Sequence, residues 1–364
     1  MKSRPVSIML TRCGFTIIEL LVSISIIAVL MSLILPAVSR ARESARRIQC
    51  ANRMRNVGVA LLSYEATHRR FPAAGYWGGP DKSSPWPNHN WVVEILANLD
   101  RQDLHDRWDK SKSRLDSANL DIAETFLEVL VCPSDVTTNG RGDLSYAVNG
   151  GIGESTFLNG VHDCPVDPFY KVIDLNGNGV VCNGIGVPDG PPSDRDLFKA
   201  TGLFFTENYG FSGTPGYRGT VRHHNVGSIS DGPSMTLLLA ENVRVGYDPF
   251  AAEPANWSSP DTRRSRVFFS HRVCQNNVCS TGQVDYSKAN SGDHAINAGL
   301  IQPEGESPWA SSYHSGGLNV VFADGHLTFL SEDIDGRVYA SLFTPQGRSF
   351  LATPLDQGVI GTEF

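Results

Sequence analysis

From Phe15 to Ala37 the chain carries a single ionisable side chain, Glu19, within Ile, Leu, Val, Ala, Ser, Met and Thr, and one proline, Pro36. A run this apolar constrains the fold before anything else is considered. As a helix it is about 35 Å long, enough to cross a hydrocarbon core of about 30 Å. A secretory signal has a shorter apolar stretch that ends in a small-residue cleavage site. Here a short basic leader with Lys2, Arg4 and Arg12 precedes the run, and the only leader-like boundary lies before it, at Gly14. The run therefore stays with the protein, and whatever follows must fold as a head on a membrane helix.

The boundary itself reads Arg12-Cys13-Gly14-Phe15-Thr16-Ile17-Ile18-Glu19. This layout resembles the processing site of type IV pilins and type II secretion pseudopilins. The resemblance implies that a prepilin peptidase/N-methyltransferase cuts between Gly14 and Phe15 and methylates the new amine of Phe15. It also implies that Glu19 serves assembly, the amine of one subunit neutralising Glu19 of its neighbour, so that a carboxylate without a partner in its own helix acquires one in a filament. The implied partners are the peptidase, like or related pilin subunits through the N-terminal helix, and membrane lipid. The implied location is the inner membrane, crossed once, with the head in the periplasm or outside the cell.

Beyond Pro36, which should kink or loosen the helix, apolar positions Val38, Ala41, Ala45, Ile48, Ala51, Met54, Val57, Leu61 and Tyr64 recur at three- and four-residue steps. That is one stripe of an amphipathic helix, ending before Phe71-Pro72. The expected organisation is a leader at 1–14, a pilin helix at 15–66 (membrane part 15–37, stem 38–66) and a globular head at 67–364. The stem bears Arg40, Arg42, Arg46, Arg47, Arg53 and Arg55 against Glu43. Counted by the positive-inside rule these would be cytoplasmic, but the processing site places the head outside. The whole chain has net charge −7, so the head is acidic, which argues against nucleic-acid binding.

With Cys13 removed in the leader, six cysteines remain: Cys50, Cys132, Cys164, Cys182, Cys274 and Cys279. An even count outside the cytoplasm reads as disulfides. The favoured pairs are Cys50–Cys132, tying the stem to Val129–Cys132, then Cys164–Cys182 and Cys274–Cys279, each closing a loop. Zinc is the competing reading, weakened because the two-residue cysteine spacing and a nearby histidine are missing.

In the head, Trp91–Trp108 and Leu120–Leu130 have helical spacing, and residues 140–225 are rich in Gly, Asn, Asp and Pro, predicting long loops with few strands. Thr236–Glu241 and Arg266–Phe269 read as strands. Two apolar runs, Leu318–Ala323 and His326–Leu330, flank Asp324-Gly325, predicting a hairpin with a two-residue type I′ turn. His314 lies ten residues before Asp324, which gives H-x9-DG, and His314, Asp324 and Gly325 are taken together as a structural turn motif. Together with Cys50-Ala-Asn-Arg-Met-Arg-Asn-Val-Gly, Cys132-Pro-Ser-Asp135 and Ile229-Ser-Asp-Gly232, these segments resemble the bacterial family called domain of unknown function 1559, over essentially the whole chain. Pro233 departs from its pattern locally. The implied fold is α+β and pilin-like, a long N-terminal helix packed on an antiparallel sheet with long loops.

No hydrolase, metalloprotease or complete dinucleotide-binding motif occurs, so no catalytic residue is assigned and an enzyme is not expected. A metal set of His314, Asp324 and His326, or one at His223-His224, is disfavoured against structural roles. No cofactor is expected, calcium being the one candidate. Asp174, Asn176 and Asn178 place oxygen side chains at positions 1, 3 and 5 of a calcium-type loop, without the acid at position 12. The leading function is a structural filament or pseudopilus subunit. The alternative is a membrane-tethered module that binds a ligand or envelope polymer without polymerising.

Overall fold

The computed structural model describes residues 16–77, 87–158, 161–166, 175, 193–208, 224–248, 255–260, 265–267 and 286–347. In chain order the elements are α1 (Ile17–His68), β1 (Gly75–Trp77), β2 (Pro87–Asn90), α2 (Trp91–Ile95), α3 (Gln102–Arg107), α4 (Ser117–Ala123), β3 (Tyr146–Asn149), β4 (Glu154–Leu158), β5 (Val161–Val166), α5 (Asp194–Phe198), β6 (Thr206–Asn208), β7 (Leu237–Glu241), β8 (Arg266–Val267), β9 (Gly317–Phe322), β10 (Leu327–Ser331) and α6 (Gly336–Phe343). The chain divides into two compact units, Met1–Arg46 and Arg47–Phe364. The second half of α1 thus belongs to the head's own core.

In the first unit the described residues form the start of α1, helical straight through Pro36. The apolar side chains face outward, Ile17 83% and Leu33 68% exposed. The serines fold their hydroxyls back onto the helix: Ser23 donates to Glu19 O at 2.7 Å, Ser25 to Val22 O at 2.8 Å and Ser39 to Leu35 O at 3.0 Å. Polar groups satisfied this way suit a helix surrounded by hydrocarbon.

The start of α1 corrects one expectation. Thr16 caps the helix: Glu19 accepts hydrogen bonds from the Thr16 backbone N–H at 2.9 Å and from its hydroxyl at 2.8 Å, and the Glu19 N–H donates to Thr16 Oγ1 at 3.3 Å. This is the reciprocal Thr-x-x-Glu capping box. Glu19 therefore does have a partner in its own helix.

In the head, α1 buries Cys50, Met54, Val57, Leu61 and Tyr64, spaced at three and four residues as one face requires, with Gly58 and Ala60 beside them. The expected stripe is right from Met54 onward and offset before it. Ile48 is exposed, and the buried face begins at Cys50. The helix ends at His68 because Arg69 turns left-handed (φ 59°), and Phe71, preceding Pro72, is held away from helical geometry.

The face of α1 lies on a five-stranded sheet ordered β10-β9-β7-β3-β8. Its pairs are antiparallel except β3 with β8, and a second sheet, β2-β1-β6, joins β1 and β6 in parallel. The sheets are mixed rather than wholly antiparallel. At Gly58 the helix comes close enough to β9 that a Cβ would lie 2.8 Å from Val321 Cγ1. Arg47 reaches over the Phe329 ring on β10, 3.3 Å from its centroid.

The β9–β10 hairpin forms, with Leu327 opposite Val321, but its turn differs from expectation. Gly325 N donates to Phe322 O at 2.9 Å, and of the Asp-Gly pair only Gly325 has positive φ, 89°. The loop is therefore three residues, a turn closed by a left-handed glycine, rather than type I′. Asp324 Oδ1 accepts from the His326 backbone N–H at 3.0 Å and contacts its Nδ1 at 2.6 Å. Slight burial works against the Asp324 carboxylate, but these His326 contacts hold it below the usual carboxylate range.

Candidate functional site

Cross-strand register lines up three polar residues on the sheet face beneath α1. Tyr146 on β3 pairs with Glu241 on β7. On the other side of β7 the Ala240–Val320 pair brings Asn319 of β9 beside Glu241. Facing residues on neighbouring strands share a side of the sheet. Asn319 fixes the carboxylate, donating its backbone N–H to Glu241 Oε2 at 2.6 Å and its Nδ2 to Oε1 at 3.2 Å.

Two further side chains reach Glu241 Oε1, and a third joins them through His314. Cys50 donates its thiol from α1, and its sulfur lies 3.5 Å from the Tyr146 hydroxyl. His314, in the loop before β9, brings Nε2 to 3.3 Å from Oε1. Its own backbone N–H donates to Ser312 Oγ at 3.1 Å, while Ser312 Oγ donates to Gly317 O at 2.7 Å, which shapes that loop. Cys132 Sγ lies 3.4 Å from His314 Nε2. Its segment is held to α1 by Arg53, which donates to Val131 O at 2.9 Å and also pairs with Glu128. Asp135 shapes the turn after it, accepting from Ser145 Oγ at 2.6 Å and from Thr137 Oγ1 at 2.7 Å.

One ligand-type atom from each of Cys50, Cys132, Glu241 and His314 lies within 4.8 Å of every other, and all four residues are buried. Exposures are 0%, 1%, 0% and 3%. Among the described residues this is the one group of three or more such donors that converges. Burial, the contact with Cys132 and the Glu241 carboxylate all push the Cys50 thiol up. Contact with Cys50, resisted by burial and aided by His314, draws the Cys132 thiol down. Thiol, imidazole and carboxylate are the donor types that hold zinc.

The expected Cys50–Cys132 proximity is present, but both are free cysteines in this structure and no disulfide joins them. His314 is not part of the hairpin turn. It is buried in the cluster, whereas His326 and Asp324 are exposed at the loop. His224 is buried with Nε2 2.8 Å from Lys199 O and Nδ1 3.1 Å from Ser228 Oγ, contacts that account for it structurally. Gly14, Phe15, Asp174, Asn176, Asn178, Cys182, Cys274 and Cys279 lie outside the described residues, and Cys164 is described only as a backbone position in β5. Glu241 had no sequence signal beyond being an acid at the end of an apolar strand.

The family profile described as protein of unknown function, DUF1559, matches residues 39–337. The chain belongs to that family. The prokaryotic N-terminal methylation motif matches residues 9–35. This DUF1559 protein is therefore type IV pilin-like and of the kind processed by prepilin peptidase, with one N-terminal helix as membrane anchor. Comparison with curated proteins and with solved structures gives no match.

Proposed function

We propose that this DUF1559 protein is a structural subunit, cut between Gly14 and Phe15 and assembled through α1 into a pilus- or pseudopilus-like filament, with its head on the extracytoplasmic side. The observation that carries this is the first part of α1. Its large apolar side chains from Ile17 to Leu35 are exposed on every face, and it coincides with the methylation motif. Such a surface needs lipid, other copies of itself, or both. Glu19 sits where a neighbour's Phe15 amine would compensate it.

The capping box gives specific support to a second reading, a membrane tether that does not polymerise. Because Thr16 already donates to Glu19, the acid has a local reason to be there without any neighbour. Glutamine also closes a capping box, so Glu19→Gln separates the two roles. It keeps the helix start and removes the charge, whereas Glu19→Leu removes both. The experiment is in-membrane cross-linking through the stem at matched expression. A filament subunit loses its cross-linked ladder in Glu19→Gln as fully as in Glu19→Leu. Ladders unchanged in Glu19→Gln, or absent from the wild type, favour the tether.

A further inference from the structure

We propose that Cys50, Cys132, Glu241 and His314 form a structural zinc site that fastens the head's part of α1 to the sheet and to the segment before Asp135. This goes beyond assembly through α1 and stands whether or not the protein polymerises.

Geometry carries the assignment. Zinc with thiolate, imidazole and carboxylate ligands at about 2.0–2.3 Å has tetrahedral edges of about 3.3–3.8 Å. The His314 Nε2 to Glu241 Oε1 distance is 3.3 Å, and the Cys132 Sγ to His314 Nε2 distance is 3.4 Å. The four donors come from four separate parts of the chain, one from α1, one from the segment after residue 130, one from the end of β7 and one from the loop before β9. They meet at a point excluded from solvent. Four protein ligands with no open position mark a structural rather than a catalytic zinc site.

The surroundings match what a bound metal requires. Metal-bound carboxylates are themselves held by hydrogen bonds, and Asn319 holds Glu241 through both oxygens. Oε1 points at the thiols and imidazole as the ligand atom, while Oε2 is occupied by the Asn319 backbone. The Tyr146 hydroxyl, 3.5 Å from Cys50 Sγ, is placed to donate to a thiolate. Two thiolates, one carboxylate and a neutral imidazole sum to three negative charges, and a divalent cation offsets two of them. Burying a carboxylate among thiols without such a cation is costly.

The sequence obscured this site because no two ligands lie at zinc-finger spacing. The nearest in sequence, Glu241 and His314, are 73 positions apart.

The test uses the full chain purified in detergent from cells grown with zinc. Elemental analysis, thiol counting under denaturing conditions with and without chelator, and cobalt(II) reconstitution of the wild type are measured together. The expected results are one zinc per chain, Cys50 and Cys132 both reduced, and a cobalt spectrum with sulfur-to-metal charge transfer and tetrahedral d–d bands. His314→Ala and Cys132→Ser should each lower zinc affinity by at least about tenfold, and Asn319→Ala by about 10–100-fold through the carboxylate it orients. Because ligand variants can fail to fold, the cobalt spectrum of the wild type decides on its own. A Cys50–Cys132 disulfide without metal, two reduced thiols without metal, or zinc retained in His314→Ala and Cys132→Ser would each overturn the proposal.

Discussion

The approach of α1 to β9 at Gly58 gives a test of the whole packing arrangement. Adding a Cβ there places it 2.8 Å from Val321 Cγ1, with Val321 Cβ at 3.6 Å and Cγ2 at 3.7 Å. Carbon atoms in contact sit about 3.5–4.0 Å apart, so the Gly58→Ala methyl is too close by about 0.7–1.2 Å. Valine is stiff about χ1, and both Val321 and Gly58 are buried, so the helix must lift or the strand must yield. Overpacking of this kind costs about 1–3 kcal/mol. Helix propensity returns about 1 kcal/mol for Gly→Ala, leaving a net loss of about 0–2 kcal/mol. Val321→Ala opens the space, so the double variant should be more stable than the sum of the singles predicts, by at least about 1 kcal/mol. Urea unfolding of the full chain in detergent, read by near-ultraviolet circular dichroism of buried Trp91 and Trp257, supplies the four stabilities. Effects additive to within about 0.5 kcal/mol, or a Gly58→Ala variant stabilised by the full propensity gain, would show that helix and strand do not meet there.

Other consequences follow from the same contacts. Gly325→Ala, at φ 89° and with a Cβ 3.1 Å from Leu62 Cδ1, should destabilise the head by about 1–2 kcal/mol, detectable as a lower unfolding midpoint; an unchanged midpoint would refute the left-handed turn. Glu94 contacts His89 Nε2 at 2.7 Å and accepts from Lys110 Nζ at 2.7 Å. Burial raises its pKa, but His89 and Lys110 outweigh burial and bring it to about 2. Its contribution to stability is therefore present above the unfolded pKa of about 4.3 and is lost as pH falls from there through about 2. Melting temperature against pH should fall more steeply in the wild type than in Glu94→Gln over that window, and parallel curves would contradict the pairing.

How much was legible in the sequence follows from how far apart the interacting residues lie. The apolar run, the helical spacing from Met54 to Tyr64, the strand Leu237–Glu241 and the hairpin around Asp324-Gly325 are local patterns, and the fold keeps them. The hairpin's detailed turn is not fixed by the local pattern, because Asp-Gly permits a three-residue loop as readily as a two-residue one. The capping box at Thr16-Ile17-Ile18-Glu19 is equally local, its threonine and glutamate three residues apart, although the resemblance to pilins implies a role for Glu19 between chains.

What the sequence by itself determined is therefore the membrane helix, its processing motif, the strand Leu237–Glu241 and the β9–β10 hairpin, because each depends on residues within a turn or two of one another, whereas β1, β2 and the strands between 146 and 208 left no such local pattern. What only the tertiary structure decided is the buried cluster. The even cysteine count pairs Cys50 with Cys132 only as a disulfide. Glu241 joins them because the β3-β7-β9 register sets it between Tyr146 and Asn319, and His314 because its loop folds back before β9. Those positions depend on strand register and on a helix docking closely enough to require glycine at 58, which are relations between distant segments that no local pattern encodes.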